Sequence, residues 1–162
     1  MSSYPEHPLN FDSYSLRRRR EWVAIHESAH ATLAIKVGGC GVDRVELWPG
    51  VQPDGSTPDG ITTYPGSARA LPRSTMIKIL LGGALAEKLD GSIDFANCTD
   101  FDRVARLLKG SGLDYKELLI ETEALVRRYW TEIELLAHEL MHRRVLVGDE
   151  IIEAMTPWSV GK

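Results

Sequence analysis

Cysteine is scarce in this chain: Cys40 and Cys98 stand far apart and form no C-x-x-C pair, so two free thiols in a reducing compartment are expected rather than a disulfide framework. Long apolar runs are missing too. No stretch approaches the roughly 18–20 residues that span a bilayer, and the N-terminus lacks the charged, then apolar, then small-residue order of a secretory signal; the expectation is a cytoplasmic protein without membrane insertion. Nor is there an excess of positive charge. With 19 Lys and Arg against 23 Asp and Glu the net charge is −4, which argues against nucleic acid as a partner. The local exception, Arg17 to Arg20, reads as a solvated helix face more readily than as a phosphate-binding patch. At 162 residues, one core and one domain are expected.

What the chain does have is His26-Glu27-Ser28-Ala29-His30, two imidazoles four residues apart and therefore on one face of a helix. Neutral imidazole suits zinc, and a Glu directly after the first His is placed to act as general base beside the metal. The same spacing recurs at His138-Glu139-Leu140-Met141-His142. At roughly 100° per residue, His26 and His30 fall within the apolar face of Trp22, Val23, Ile25, Ala29, Leu33, Ala34 and Val37, whereas His138 and His142 lie roughly 140–180° from the face of Ile133, Leu136, Ala137 and Leu140. A buried pair needs a partner to offset desolvation, while an exposed pair needs none. The first motif is therefore the metal-site candidate. Its bland alternative, two core histidines bonded to backbone carbonyls, leaves Glu27 beside them unexplained.

Residues 1–16, with Pro5, Pro8 and several serines, are expected to form a flexible N-terminal arm, and 17–162 a single domain. A helix from about Leu16 to Val37 should stop at Gly38-Gly39. Val42 to Trp48 alternates as a half-buried strand, with Gly60 to Tyr64 as its partner across a loop rich in Pro, Asp and Gly. From Pro72 the run to Glu87 is nearly all apolar or small, which predicts a central buried helix whose Gly82 and Gly83 admit close approach of the metal helix. Thr99 or Asn97 should cap a helix with Asp100 in its first turn, and Leu113 to about Leu146 reads as one amphipathic stretch bent near Trp130-Thr131, before a short last helix through Met155. The fold class is mainly α, of the α+β kind.

A catalytic zinc site takes three protein ligands and keeps one position open, so one more donor is required. Glu87, Asp94, Asp100 and Asp102 are all candidates, and spacing does not choose among them.

His26 to Ala31 resembles the H-E-A-G-H-A signature of the FtsH-type ATP-dependent zinc metalloproteases, with Ser28-Ala29 in place of Ala-Gly. The likeness continues in family order from about residue 20 to 156. Val45 to Pro49 resembles the strand after the metal helix, Gly60-Ile61-Thr62 the glycine-led substrate-side strand, and Leu81 to Glu87 the L-G-G-R-x-A-E-E helix. Thr99 to Ala105 resembles N-D-L-x-R-A-T, in which the Asp is the third zinc ligand, and the resemblance so implies Asp100. The usual T-G-A before that segment is replaced by Phe95-Ala96-Asn97-Cys98, and the chain carries no G-x-x-x-x-G-K-[ST] phosphate loop of the family's ATPase module.

The expected function is that of a protease domain standing alone, a zinc metalloendopeptidase acting on flexible or unfolded polypeptides. His26, His30 and Asp100 would hold Zn2+, Glu27 would be the base, and Gly60, Ile61 and Thr62 would bind substrate. Candidate partners are a polypeptide substrate, an ATPase acting in trans and further copies of the chain as a homo-oligomer. The rivals are a catalytically silent zinc-bound peptide-binding or adaptor domain and a structural domain without metal.

Overall fold

The computed structural model describes residues 11–92 and 99–157. Among these the order is α1 (Phe11–Lys36), β1 (Arg44–Leu47), β2 (Gly60–Thr63), a 3-10 turn (Gly66–Ala70), α2 (Arg73–Leu89), α3 (Asp100–Leu108), α4 (Tyr115–Arg128), α5 (Trp130–Arg143), β3 (Val145–Val147) and α6 (Asp149–Met155). The fold is mainly α with one small antiparallel sheet, as the sequence predicts. Among the described residues no helix is long and apolar enough to cross a membrane.

From Ala24 to Ala34 every residue of α1 is buried. The single apolar face expected from the sequence is instead a whole buried circumference, because α2, α5 and strands β1 and β2 surround this part of the helix. Small residues make that enclosure feasible: Ala24, Ser28, Ala29, Ala31 and Ala34 let neighbours approach, while Leu33 fills the space between. The helix begins at Phe11, earlier than the expected Leu16, since nothing between Pro8 and Arg17 breaks a helix. Residues 11–16 thus belong to α1 rather than to an arm, and 1–10 lie outside the described residues. At the other end Val37 and Gly38 both donate to the Leu33 carbonyl and Gly39 turns to φ 61°, the predicted glycine stop.

The sheet has the order β2-β1-β3. β1 and β2 pair as the alternation implies, from Arg44 opposite Thr63 to Leu47 opposite Gly60. The third strand was not expected. Val145–Val147 was read as the end of a long helical stretch, but Arg144 adopts φ 64°, closes α5 and sends the chain back along β1, where Leu146 lies opposite Val45. The bend expected near Trp130 is a break at Tyr129, between α4 and α5.

α2 is the predicted central helix. Ile79 and Ala86 join the core around α1, while Ile77, Leu80 and Leu81 pack with Val104 of α3 and Leu118 of α4. At roughly 1.5–3 kcal/mol for each fully buried large aliphatic side chain, Val104 and its neighbours fix α3 on α2. Asp100 stands one turn before Val104 and so shares its inward face.

Gly82 and Gly83 sit where α2 meets α1. A Cβ on Gly82 would stand 2.5 Å from Leu33 Cδ1, and one on Gly83 2.6 Å from His26 Nε2. We expect Gly83→Ala to lower stability by about 1–3 kcal/mol through overpacking, even against the roughly 1 kcal/mol helix preference for Ala, because the His26 ring is pinned. Gly82→Ala should cost less, since the terminal methyl of Leu33 can rotate. Urea unfolding of the two variants checks the order, and a Gly83→Ala protein as stable as wild type would contradict it.

Candidate metal centre

His26 and His30 project from the buried middle of α1 with 9% and 5% of their surface exposed. Each ring is fixed through Nδ1. His30 Nδ1 lies 2.7 Å from the Ile79 carbonyl oxygen, and His26 Nδ1 lies 2.5 Å from Glu87 Oε1. Carbonyl and carboxylate oxygens only accept, so both Nδ1 atoms donate, and in the neutral rings both Nε2 atoms present lone pairs. Those lone pairs meet: Nε2 to Nε2 is 2.9 Å, and Asp100 Oδ2 is 3.1 Å from His26 Nε2 and 3.0 Å from His30 Nε2.

Three acceptors converge at hydrogen-bond distance with both ring protons committed elsewhere. A proton added to one Nε2 would satisfy part of the triangle, whereas a divalent cation takes all three lone pairs. The size also fits. Donors about 3 Å apart define a circle of radius about 1.7 Å, shorter than the 2.0–2.1 Å of a zinc bond to nitrogen or oxygen, so one ion can reach all three from above their plane. Among the described residues this is the one group of three or more His, Cys, Asp or Glu side chains that could hold a metal ion.

The remaining candidates divide cleanly. Glu87 backs His26 and accepts a 3.3 Å hydrogen bond from Ser92 Oγ through its other oxygen, which makes it the residue that orients a ligand. Asp102 is exposed, on the outer side of α3. Asp94 lies outside the described residues, as does the Phe95 to Cys98 segment. Thr99 stands at the cap position of α3 without a side-chain hydrogen bond to it. Arg103 approaches Asp100 Oδ1 at 3.8 Å, on the opposite carboxylate oxygen from the one that faces the imidazoles.

One residue after His26, the helix turns Glu27 toward β2 instead of into the triangle. Thr62 Oγ1 donates to Glu27 Oε2 at 2.6 Å, and a Cβ on Gly60 would stand 2.9 Å from Glu27 Oε1. Of the residues expected to contact substrate, Thr62 thus holds the carboxylate and Gly60 lies close beside it; Ile61 points to the other face of the sheet by strand alternation. In the β1 pairing, Trp48 donates to the Asp59 carbonyl. The alternation this sets turns the main-chain groups of Gly60 and Thr62 away from β1, and among the described residues no strand covers that edge.

Tyr64 was not singled out from the sequence. Burial pushes its phenol far above the usual range, the nearby charges of Glu27 and Asp100 add to this, and Arg103 opposes them. It is a neutral O–H donor within electrostatic reach of the centre. Tyr64 lies one residue past the end of β2, two positions after Thr62, whose hydroxyl touches Glu27.

The second histidine pair lies where the sequence puts it: His138 and His142 are exposed on α5, and no third donor joins them among the described residues. The sequence matches no known family model, and no curated protein is similar to it.

Asp100→Ala should lose zinc that withstands dialysis against a weak chelator, while Asp102→Ala and the double replacement of His138 and His142 by Ala retain it. Glu87→Gln should bind about 10–100-fold more weakly, the usual effect of removing a ligand's orienting partner. Metal analysis beside circular dichroism reads all of these; full occupancy in Asp100→Ala would remove it from the ligand set.

Proposed function

We propose that this chain is a zinc-dependent endopeptidase acting on extended or unfolded polypeptide segments. The observation that carries the reading is the pairing of a three-donor, lone-pair triangle with a separate buried carboxylate one residue along the same helix. His26 and His30 would hold the ion through Nε2 and Asp100 through Oδ2. Bound zinc supplies Lewis acidity, bringing water toward a pKa of about 7 and polarising a substrate carbonyl.

Glu27 then does the proton work. Its Oε2 is occupied by the Thr62 hydroxyl, which leaves Oε1 to take a proton from the water that adds to the peptide carbonyl carbon. The same oxygen returns that proton to the departing amine nitrogen as the carbon–nitrogen bond breaks. Gly60 lacks a side chain that would crowd this oxygen. The open edge of β2 suits an extended peptide, whose main chain would pair with Gly60 and Thr62 as an added strand.

The motif likeness to FtsH-type proteases points the same way. Two imidazoles and a carboxylate also suit non-haem iron, but oxygen chemistry needs no adjacent general base, and Glu27 favours hydrolysis.

Glu27→Gln should keep zinc and fold while lowering peptide turnover by about 10²–10⁴-fold. A peptide-library digest with the zinc-loaded wild type and variant tests this. Equal turnover would remove Glu27 as the base; a zinc-loaded wild type that binds extended peptides without cutting them would favour the adaptor reading.

A further inference from the structure

We propose that His138 and His142 form a second metal-binding site, an exposed two-point chelate for a divalent transition ion that is independent of the buried centre. The two rings turn their Nε2 atoms toward each other at 3.4 Å, with ring centroids 4.6 Å apart. At this distance one ring's Nε2–H can donate to the other's Nε2 lone pair, and a divalent cation would take both lone pairs in place of that shared proton. A point 2.0–2.1 Å from both sees them at about 110°, close to the tetrahedral angle of a zinc site.

The pair is also held in place. α5 is anchored by Ile133, Leu136 and Leu140, all fully buried, so the spacing of the two histidines is fixed by a rigid helix turn and not by a loop. Arg143, the next cation in sequence, is turned to Glu150 and Glu139 and does not compete for the nitrogens. His142 lies in the last turn of α5, where the helix carbonyl end favours positive charge. With two protein donors, two tetrahedral positions are left for water or for donors of another molecule. Copper(II) should bind more tightly than nickel(II) or zinc, following the general order for nitrogen ligands.

The site is distinguished from the buried centre by titrating the zinc-loaded protein with Ni2+ in a calorimeter. Wild type should take up one Ni2+ per chain, and His138→Ala and His142→Ala should each weaken that step by about 100-fold, because either change turns a chelate into a single imidazole. Asp102→Ala, which keeps the buried centre loaded, should leave the step in place. The proposal is overturned if zinc-loaded wild type takes up no Ni2+, or if either single variant binds it as tightly as wild type.

Discussion

Lone pairs repel, and the central fact of this fold is that it holds three of them within 3.1 Å of one another in a nearly dry setting. Everything around the triangle acts to prevent its escape. The Ile79 carbonyl and Glu87 take the outer nitrogens, Gly83 lets α2 close over the His26 ring, and Val104 pins α3 so that Asp100 cannot swing out. A bound cation, as proposed, would turn this repulsion into attraction and make the buried polar cluster a source of order for three helices at once.

The sheet plays a different part, since it adds nothing to the His26–His30–Asp100 triangle but determines where the Glu27 carboxylate stands. β1 is tied on both sides, so β2 is held at the edge with Gly60 and Thr62 against Glu27. The arginine run reinforces this from the start of α1. Arg19 meets Asp59, the residue before β2, at 2.7 Å, and the Arg20 guanidinium lies 5.2 Å from the Trp48 ring at the end of β1. Arg18 reaches Asp90 at the end of α2, where burial outweighs the guanidinium and pushes the Asp90 carboxyl up. Exposed pairs of this kind contribute roughly 0–1 kcal/mol each, so their effect is on where the two ends of the 48–59 loop sit more than on stability.

Much of this was legible in order along the chain. The histidine face, the glycine stop after α1, the β1–β2 pairing and the α2 glycines all follow from local rules that burial reinforces. β3 escaped notice because three residues give no periodicity, and the left-handed Arg144 that makes the strand is not a glycine. The choice among four acidic residues could not come from spacing, because the donor is decided by which helix docks where. Glu87 shows the difficulty: it does touch His26, but from behind, and only the direction of the ring nitrogen separates an orienting partner from a ligand. Gly60 and Thr62 were expected at the substrate, and their contact with Glu27 depends on a register between a strand and a helix more than thirty residues apart.

The sheet also sets an order of events during synthesis. α1 can form early, but His26 and His30 meet their third donor only when residue 100 is available, and β1 gains its second neighbour only when residues 145–147 have emerged. Distant contacts of this kind form late, after the local helices. A growing chain therefore carries both imidazoles without the assembled cluster until residue 100 has emerged, and β1, which positions the edge beside Glu27, lacks its second neighbour until residues 145–147 follow.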